Sequence, residues 1–358
     1  MDICIVAGAR PDFIKAAPII RAVGKVDGIS YKLVYTGEEN SPHVEPSLFR
    51  DLQIPPRVEC LGVGGDKLNE VAGGVMARLD AFLDSSPSDV LIVVNDLAAT
   101  MAAAIVAKRR GMKLAHLVAG TRSFDMNMPK EVNRLVIDGL SDYLFTAGES
   151  GNSIAGKEGV DPSKVFYVGN ILIDTLRQSL PLARKPVFQG ADGLQKGGYV
   201  LLTLNRNALL SDGETLRTAM AALLGGVGGK PVVAALRPQA EAKLKAALAG
   251  GASNVLFTGP LPYLEFCHLT ANAAGIVTDS GNVAEEATFL GVPCMTLNDY
   301  AELQETVKVG TNVLVGTDPS AISEAAADMV AGRWKGSALP DRWDGRTAER
   351  IVSILAED

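Results

Sequence analysis

Apolar residues along this chain fall into short runs separated by polar turns, and the runs are of two kinds. Residues 1–7, 31–35, 90–94, 114–118 and 143–147 are short and almost wholly apolar, the composition of strands buried on both faces. Between them, 11–23, 68–83 and 98–109 repeat apolar positions at helical spacing, as in Phe13, Ile14, Ala17, Ile20 and Val23. A polar, glycine-containing region at 183–198 interrupts this alternation, which then restarts. Strands are expected at 199–204, 231–235, 255–257, 275–278 and 293–297, with helices at 215–224, 241–248, 263–271 and 283–290, and a last helix at 347–356. Strands alternating with helices predict an α/β fold with parallel sheets covered on both sides. The interruption predicts two doubly wound, Rossmann-like domains, residues 1–170 and 171–340, with the helix of 341–358 packing back on the first. A chain of 358 residues fits two cores better than one.

Doubly wound sheets bind ligands beyond the carboxyl ends of their strands, so the turns that follow strands carry the candidate chemistry. The most informative runs Thr278-Asp279-Ser280-Gly281-Asn282-Val283-Ala284-Glu285-Glu286-Ala287. It joins an apolar strand to a helix, so the backbone N–H groups of Ser280, Gly281 and Asn282 and the positive end of the helix form a seat for phosphate. A carboxylate one turn in, Glu286, could hold a ribose diol. The plainer alternative is a capped helix whose two glutamates face solvent.

In the first turn, Gly8-Ala9-Arg10-Pro11-Asp12-Phe13-Ile14-Lys15, Arg10 and Lys15 lie one helical turn apart and can reach a common anion. Asp96 follows the strand 90–94 and suits either proton transfer or the N-cap of the next helix. His116, inside a strand, reads as a hydrogen-bonded core residue more readily than as a catalyst. Glu131 and Arg134 share a helix face, as a surface pair or a substrate clamp.

Composition narrows the partners. Hydrophobic residues make up 47% of the chain and charged residues 21%, a globular balance. The net charge of −7 argues against a nucleic-acid surface while leaving room for a local basic pocket. Cys4, Cys60, Cys267 and Cys294 are far apart and lack metal-binding spacing, as expected of reduced cysteines in a cytoplasmic protein. No apolar stretch is long enough for a membrane span, and no secretory leader is apparent at the start.

Taken together, these stretches resemble the non-hydrolysing UDP-N-acetylglucosamine 2-epimerase family. The likeness runs through Gly8 to Pro18, Thr36-Gly37, Asp96, Ala119-Gly120-Thr121-Arg122-Ser123, Met128 to Arg134, Gly169-Asn170 with Asp174, Gly259 to Tyr263 with Phe266, and Asp279-Ser280-Gly281 with Glu285-Glu286. The resemblance implies a GT-B-type fold, two Rossmann-like domains facing across a cleft that holds a UDP-sugar, and a homodimer through the first domain. It implies no metal or redox cofactor. Members eliminate UDP to form a glycal and add it back to the other face, inverting C2. Asp96, Glu131, Lys15 and Arg10 would then be catalytic. Arg134, Lys130, Asn205, Arg206, Ser280, Gly281, Asn282 and Glu286 would bind substrate.

The resemblance also implies departures. Val118 and Lys130 stand where the family has catalytic glutamates, Asn205 where it has a phosphate-contacting histidine, Leu303 where it has an arginine, and Asn282 where it usually has a second glycine. A positioned acid or base contributes about 10²–10⁴ in rate, so these changes bear on catalysis more than on nucleotide binding. Three functions fit: a 2-epimerase acting on UDP-N-acetylglucosamine or a relative, a transferase or hydrolase of the same fold, and a non-catalytic nucleotide-sugar binder.

Overall fold

The structure is a computed structural model in which residues 1–248, 251 and 253–357 are described, so the last residue of the segment 341–358 lies outside the described residues. It divides into two compact units, Met1–Arg177 with Asp341–Asp358, and Gln178–Pro340.

The first unit holds a seven-stranded sheet of β1 (Asp2–Ala7), β2 (Ser30–Tyr35), β3 (Glu59–Cys60), β4 (Val90–Val94), β5 (Lys113–Ala119), β6 (Tyr143–Thr146) and β7 (Val165–Tyr167). The order is β3-β2-β1-β4-β5-β6-β7, and every neighbouring pair is parallel. The second unit repeats the plan in six strands: β8 (Val200–Thr203), β9 (Val232–Ala234), β10 (Val255–Phe257), β11 (Gly275–Thr278), β12 (Cys294–Thr296) and β13 (Asn312–Leu314), ordered β10-β9-β8-β11-β12-β13. Each sheet winds outward from its first strand and then resumes on that strand's other side. The reversals lie between β1 and β4 and between β8 and β11, the places where such folds leave a crevice for ligands.

The cores follow from the strand composition. Every residue of β4, β8 and β11 is buried. Leu79 and Val75 of the helix Leu68–Ser85 and Ala103 of the helix Ala98–Arg109 cover one face of the first sheet. Leu216 and Leu223 of the helix Gly213–Gly226 do the same for the second.

Elements not anticipated are mostly those with weak local signals. β3 is two residues long, and β13 is a three-residue strand. The helix Glu149–Lys157 contains Gly151 and Gly156, which interrupt the apolar stripe that would announce it. The helix Pro129–Leu140 was legible only as the one-turn spacing of Glu131 and Arg134.

Most of the helix Ile171–Ser179 goes with the first unit because its side chains are committed there. Ile173 and Leu176 are buried, and the Thr175 hydroxyl donates to the Ile14 carbonyl at 2.6 Å. Asp174 accepts from the backbone N–H groups of Thr347 at 3.1 Å and Ala348 at 2.8 Å, capping the terminal helix Thr347–Ala356 from elsewhere in the chain. That helix packs against the helix Arg10–Val23. The indole of Trp343, 1% exposed, donates to the Ala147 carbonyl at 2.9 Å.

Candidate functional site

The predicted residues of the first unit gather at the ends of β1, β4 and β5. Asp12, in the first turn of the helix Arg10–Val23, accepts from the N–H groups of Gly8 at 2.8 Å and Ala9 at 3.0 Å and thereby fixes the turn after β1. Its other oxygen accepts from the Asn95 side chain at 2.5 Å. Burial pushes the Asp12 carboxyl up to about 6 despite these donors and nearby Lys15. Lys15 is buried, and its Nζ donates to Asn95 Oδ1 at 2.8 Å. Asn95, which was not singled out in the sequence, therefore links the helix Arg10–Val23 to the end of β4, with its backbone in the left-handed region at φ 60°. Arg10 opens the helix, with its backbone N–H on His43 Nδ1 at 3.4 Å.

Asp96 does not cap the helix that follows it. Leu97 occupies that position, and no side chain caps the helix. Instead Asp96 Oδ2 takes Arg134 Nε at 2.7 Å and Nη2 at 2.6 Å, while Lys130 Nζ lies 3.2 Å from Oδ1. Burial raises the carboxyl, but Lys130 and Arg134 outweigh it and hold Asp96 below the usual aspartate range, hence ionised. Arg134 also meets Glu131 at 3.3 Å; both side chains are buried, which removes the surface-pair alternative. Glu131 is spoken for as well: it accepts from Ser123 N and Oγ, each at 2.8 Å, and from Phe124 N at 3.0 Å. Burial works against the Glu131 anion, yet these donors and Arg134 hold its carboxyl below the ordinary value.

His116 behaves as a core residue. Its ring lies between Asp138 Oδ1 at 2.6 Å and the Asn95 carbonyl at 3.0 Å. Asp138 also accepts from Gly120 N at 3.1 Å and pairs with Arg122 at 2.7 Å, and Arg122 reaches on to Glu158. This network anchors the end of β5, where the register shifts between Leu117 and Ala119. At that bulge Val118 adopts φ 67°, a left-handed conformation that a β-branched residue takes only when its surroundings force it. Its side chain is half-buried.

In the second unit the residues meet at the β8/β11 reversal. Asp279 accepts from Asn205 N at 2.9 and 2.8 Å and from Arg206 N at 2.7 Å, tying the two strand ends together. Burial raises the Asp279 carboxyl against those donors. Arg206 Nε donates to the Asp279 carbonyl at 3.1 Å, and its guanidinium sits 4.8 Å from the Tyr300 ring centroid. Asn205 takes part through its backbone, and its side chain is exposed. Ser280 is the N-cap of the helix Gly281–Leu290, and no side chain caps this end. Asn282 lies in the first turn, half-buried. The picture of glutamates facing solvent is corrected here: Glu285 and Glu286 are each 4% exposed, because the side of the helix that carries them is packed inward. Glu286 Oε1 accepts from the Tyr263 hydroxyl at 3.2 Å.

Asn298, Tyr300 and Glu302 join this group from the segment after β12. Sequence reasoning missed them, because their loop follows a strand but shows no helix-start or glycine signal.

Two switch points, one furnished with paired cations and carboxylates and the other with an uncapped helix N-terminus, are the features comparison with known proteins can identify. Residues 21–356 match the family model described as UDP-N-acetylglucosamine 2-epimerase. The chain belongs to that family. A UDP-N-acetylglucosamine 2-epimerase of Methanocaldococcus jannaschii is 33% identical over 99% of each chain. A UDP-2,3-diacetamido-2,3-dideoxy-D-glucuronate 2-epimerase of Pseudomonas aeruginosa is 31% identical over 100% of each. Among solved structures, the UDP-GlcNAc 2-epimerase of Methanocaldococcus jannaschii, in complex with UDP-GlcNAc and UDP, superposes with a TM-score of 0.88 at 32% identity over 100% of both chains. The family fold is thus present throughout. Among the described residues no helix is long and apolar enough to cross a membrane, and no group of three His, Cys, Asp or Glu residues is placed to hold a metal ion.

Proposed function

We propose that this chain is a nucleotide-sugar 2-epimerase, acting on UDP-N-acetylglucosamine or a close relative by elimination and re-addition of UDP. The observation that carries this beyond family membership is Asp96, held ionised at a switch point with Oδ2 saturated by Arg134 and Oδ1 turned to the exposed Lys130. An ionised carboxylate with one oxygen committed and the other on a solvent-facing lysine suits proton removal at Oδ1, with Lys130 relinquishing its contact as the proton arrives.

In this reading Glu131 is a positioning residue. Its oxygens hold the Ser123–Phe124 backbone and Arg134, so it sets the geometry of Asp96 and does not itself carry the proton. Arg10 and Lys15 supply positive charge for the departing diphosphate, the usual electrostatic requirement of such a leaving group. In the second unit the N–H groups at Ser280, Gly281 and Asn282 seat phosphate, Arg206 adds a cation beside them, and Glu286 takes the ribose hydroxyls.

The chain is further taken to act as a cytoplasmic homodimer, which light scattering on purified protein tests. The function itself is tested by incubating pure protein with UDP-N-acetylglucosamine and following the sugar protons by NMR. Appearance of the C2 epimer supports it. Release of free UDP with no epimer, or no change with this or any related UDP-sugar, refutes it.

A further inference from the structure

Lys15 is a buried ammonium whose hydrogen-bond acceptor carries no charge. Its side chain is 2% exposed, and Nζ donates to Asn95 Oδ1 at 2.8 Å. Asn95 in turn donates from Nδ2 to Asp12 Oδ1 at 2.5 Å, so one amide stands between a cation and a carboxylate of the same helix, Arg10–Val23. That amide fits only one way round. The lysine has donors alone and the Asp12 carboxylate acceptors alone, so Oδ1 faces Lys15 and Nδ2 faces Asp12.

The backbone beneath the amide is equally committed. Asn95 holds φ 60°, a conformation that glycine and asparagine enter readily and most other residues avoid. Its carbonyl lies 3.0 Å from His116 Nε2, and the carbonyl of the next residue, Asp96, accepts from Asn133 Nδ2 at 2.9 Å. Asp12 is itself held by the N–H groups of Gly8 and Ala9. These attachments fix where Asn95 Oδ1 stands, and with it the tip of an otherwise flexible lysine stem.

From this arrangement we infer that Asn95 is a positioning residue for departure of the diphosphate: it holds the Lys15 ammonium at the end of β4 and, being neutral, leaves that charge to act on an anion. A carboxylate in its place would fix the lysine equally well but would pair with it. An amide oxygen fixes it through a hydrogen bond and contributes no net charge. Asn95 and Asp96 are consecutive in the turn after β4, so one pinned stretch of backbone sets both the proposed base and the cation for the leaving group. Elimination needs those two groups in a fixed mutual geometry. The inference rests on the role given to Lys15 above, and its test separates the two.

The test measures the affinity of the full chain for UDP and for uridine, whose ratio reports the hold on the diphosphate, together with the melting temperature. Lys15→Met should narrow the wild-type preference for UDP by about tenfold or more. Asn95→Gly keeps φ 60° free of strain and removes the amide. It should narrow the preference by about tenfold, through an ammonium that must be ordered on binding, and leave uridine affinity unchanged. In the Lys15→Met background the same change should narrow it no further, because Asn95 acts through the lysine. Should Asn95→Gly fail to fold, Asn95→Ser decides, since its hydroxyl is too short to bridge Asp12 and Lys15. An Asn95 variant that lowers only the melting temperature, with the preference intact while Lys15→Met narrows it, overturns the inference and leaves the role of Lys15 standing. A preference untouched by Lys15→Met overturns that role and the inference together.

Discussion

Arg134 grips Asp96 by a single oxygen: Nε and Nη2 both fall on Oδ2, at 2.7 and 2.6 Å, and Lys130 Nζ lies 3.2 Å from Oδ1. The two oxygens of one carboxylate thus have different work. Oδ2 is anchored in the buried interior, and Oδ1 lies on the side of the exposed lysine. Replacing the anchored charge and replacing its exposed neighbour should therefore have different effects. Asp96→Asn is expected to lower kcat by about 10²–10⁴. Lys130→Met leaves Asp96 in place but removes one of the two cations that depress its pKa. The acid limb of its kcat/KM profile should move to higher pH relative to wild type, and an unmoved limb would exclude Asp96 as the titrating base.

Glu131→Gln tests positioning against catalysis. A glutamine keeps one acceptor oxygen but loses the charge that faces Arg134 and the second oxygen for Ser123 and Phe124. Activity should fall, with limited proteolysis cutting faster near Phe124, which is 74% exposed, while the pH profile stays where it was. A pH limb lost together with the rate would make Glu131 the proton carrier instead.

Val118 stores backbone strain at the end of β5. Left-handed conformations of this kind cost about 1–3 kcal/mol, and asparagine tolerates them far better than valine. Val118→Asn should therefore gain about 1 kcal/mol of stability in urea titrations, against the usual loss when a half-buried apolar side chain is replaced by a polar one. A clear destabilisation would show that side-chain packing, and not the backbone, dominates at this bulge.

How much of this was open to sequence reasoning depended on how local each signal was. The apolar strands β1, β4, β8 and β11 announce themselves because each is buried on both faces, and those strands carry the switch points. The short edge strands β3 and β13 do not, since two or three residues hold no period. Asp96, Glu131 and Arg134 could be picked out as candidates, but their union could not, because Asp96 and Arg134 are 38 positions apart and meet only after β4 and β5 pair. The same holds for Lys15 with Asn95, and for Asp174, whose partners Thr347 and Ala348 lie at the far end of the chain.

That last contact gives a pH signature. Burial raises the Asp174 carboxyl to about 6 from 3.8, against the two backbone donors. A carboxyl whose folded pKa lies above its unfolded value favours the folded state when protonated. Its contribution is complete below about pH 4 and is lost as the pH rises through about 6, amounting to roughly 3 kcal/mol. Asp12 acts in the same direction, so between pH 7 and 5 the wild type should become more stable. The depressed carboxyls of Asp96, Glu131 and Asp138 oppose this only at lower pH, where they begin to protonate. Asp174→Asn should flatten the rise in melting temperature between pH 7 and 5. An unchanged slope would mean that Asp174 does not titrate in that window.

Solvent deuterium at C2 is the most direct probe of the chemistry. Elimination removes the C2 proton and re-addition returns one from Asp96 or water, so UDP-N-acetylglucosamine recovered from D₂O after incubation with wild-type protein should carry deuterium at C2, together with its epimer. Asp96→Asn should abolish the exchange while UDP still binds. Epimer formed without deuterium, or the absence of any exchange at high protein concentration with every UDP-sugar tried, would contradict a 2-epimerase built around Asp96.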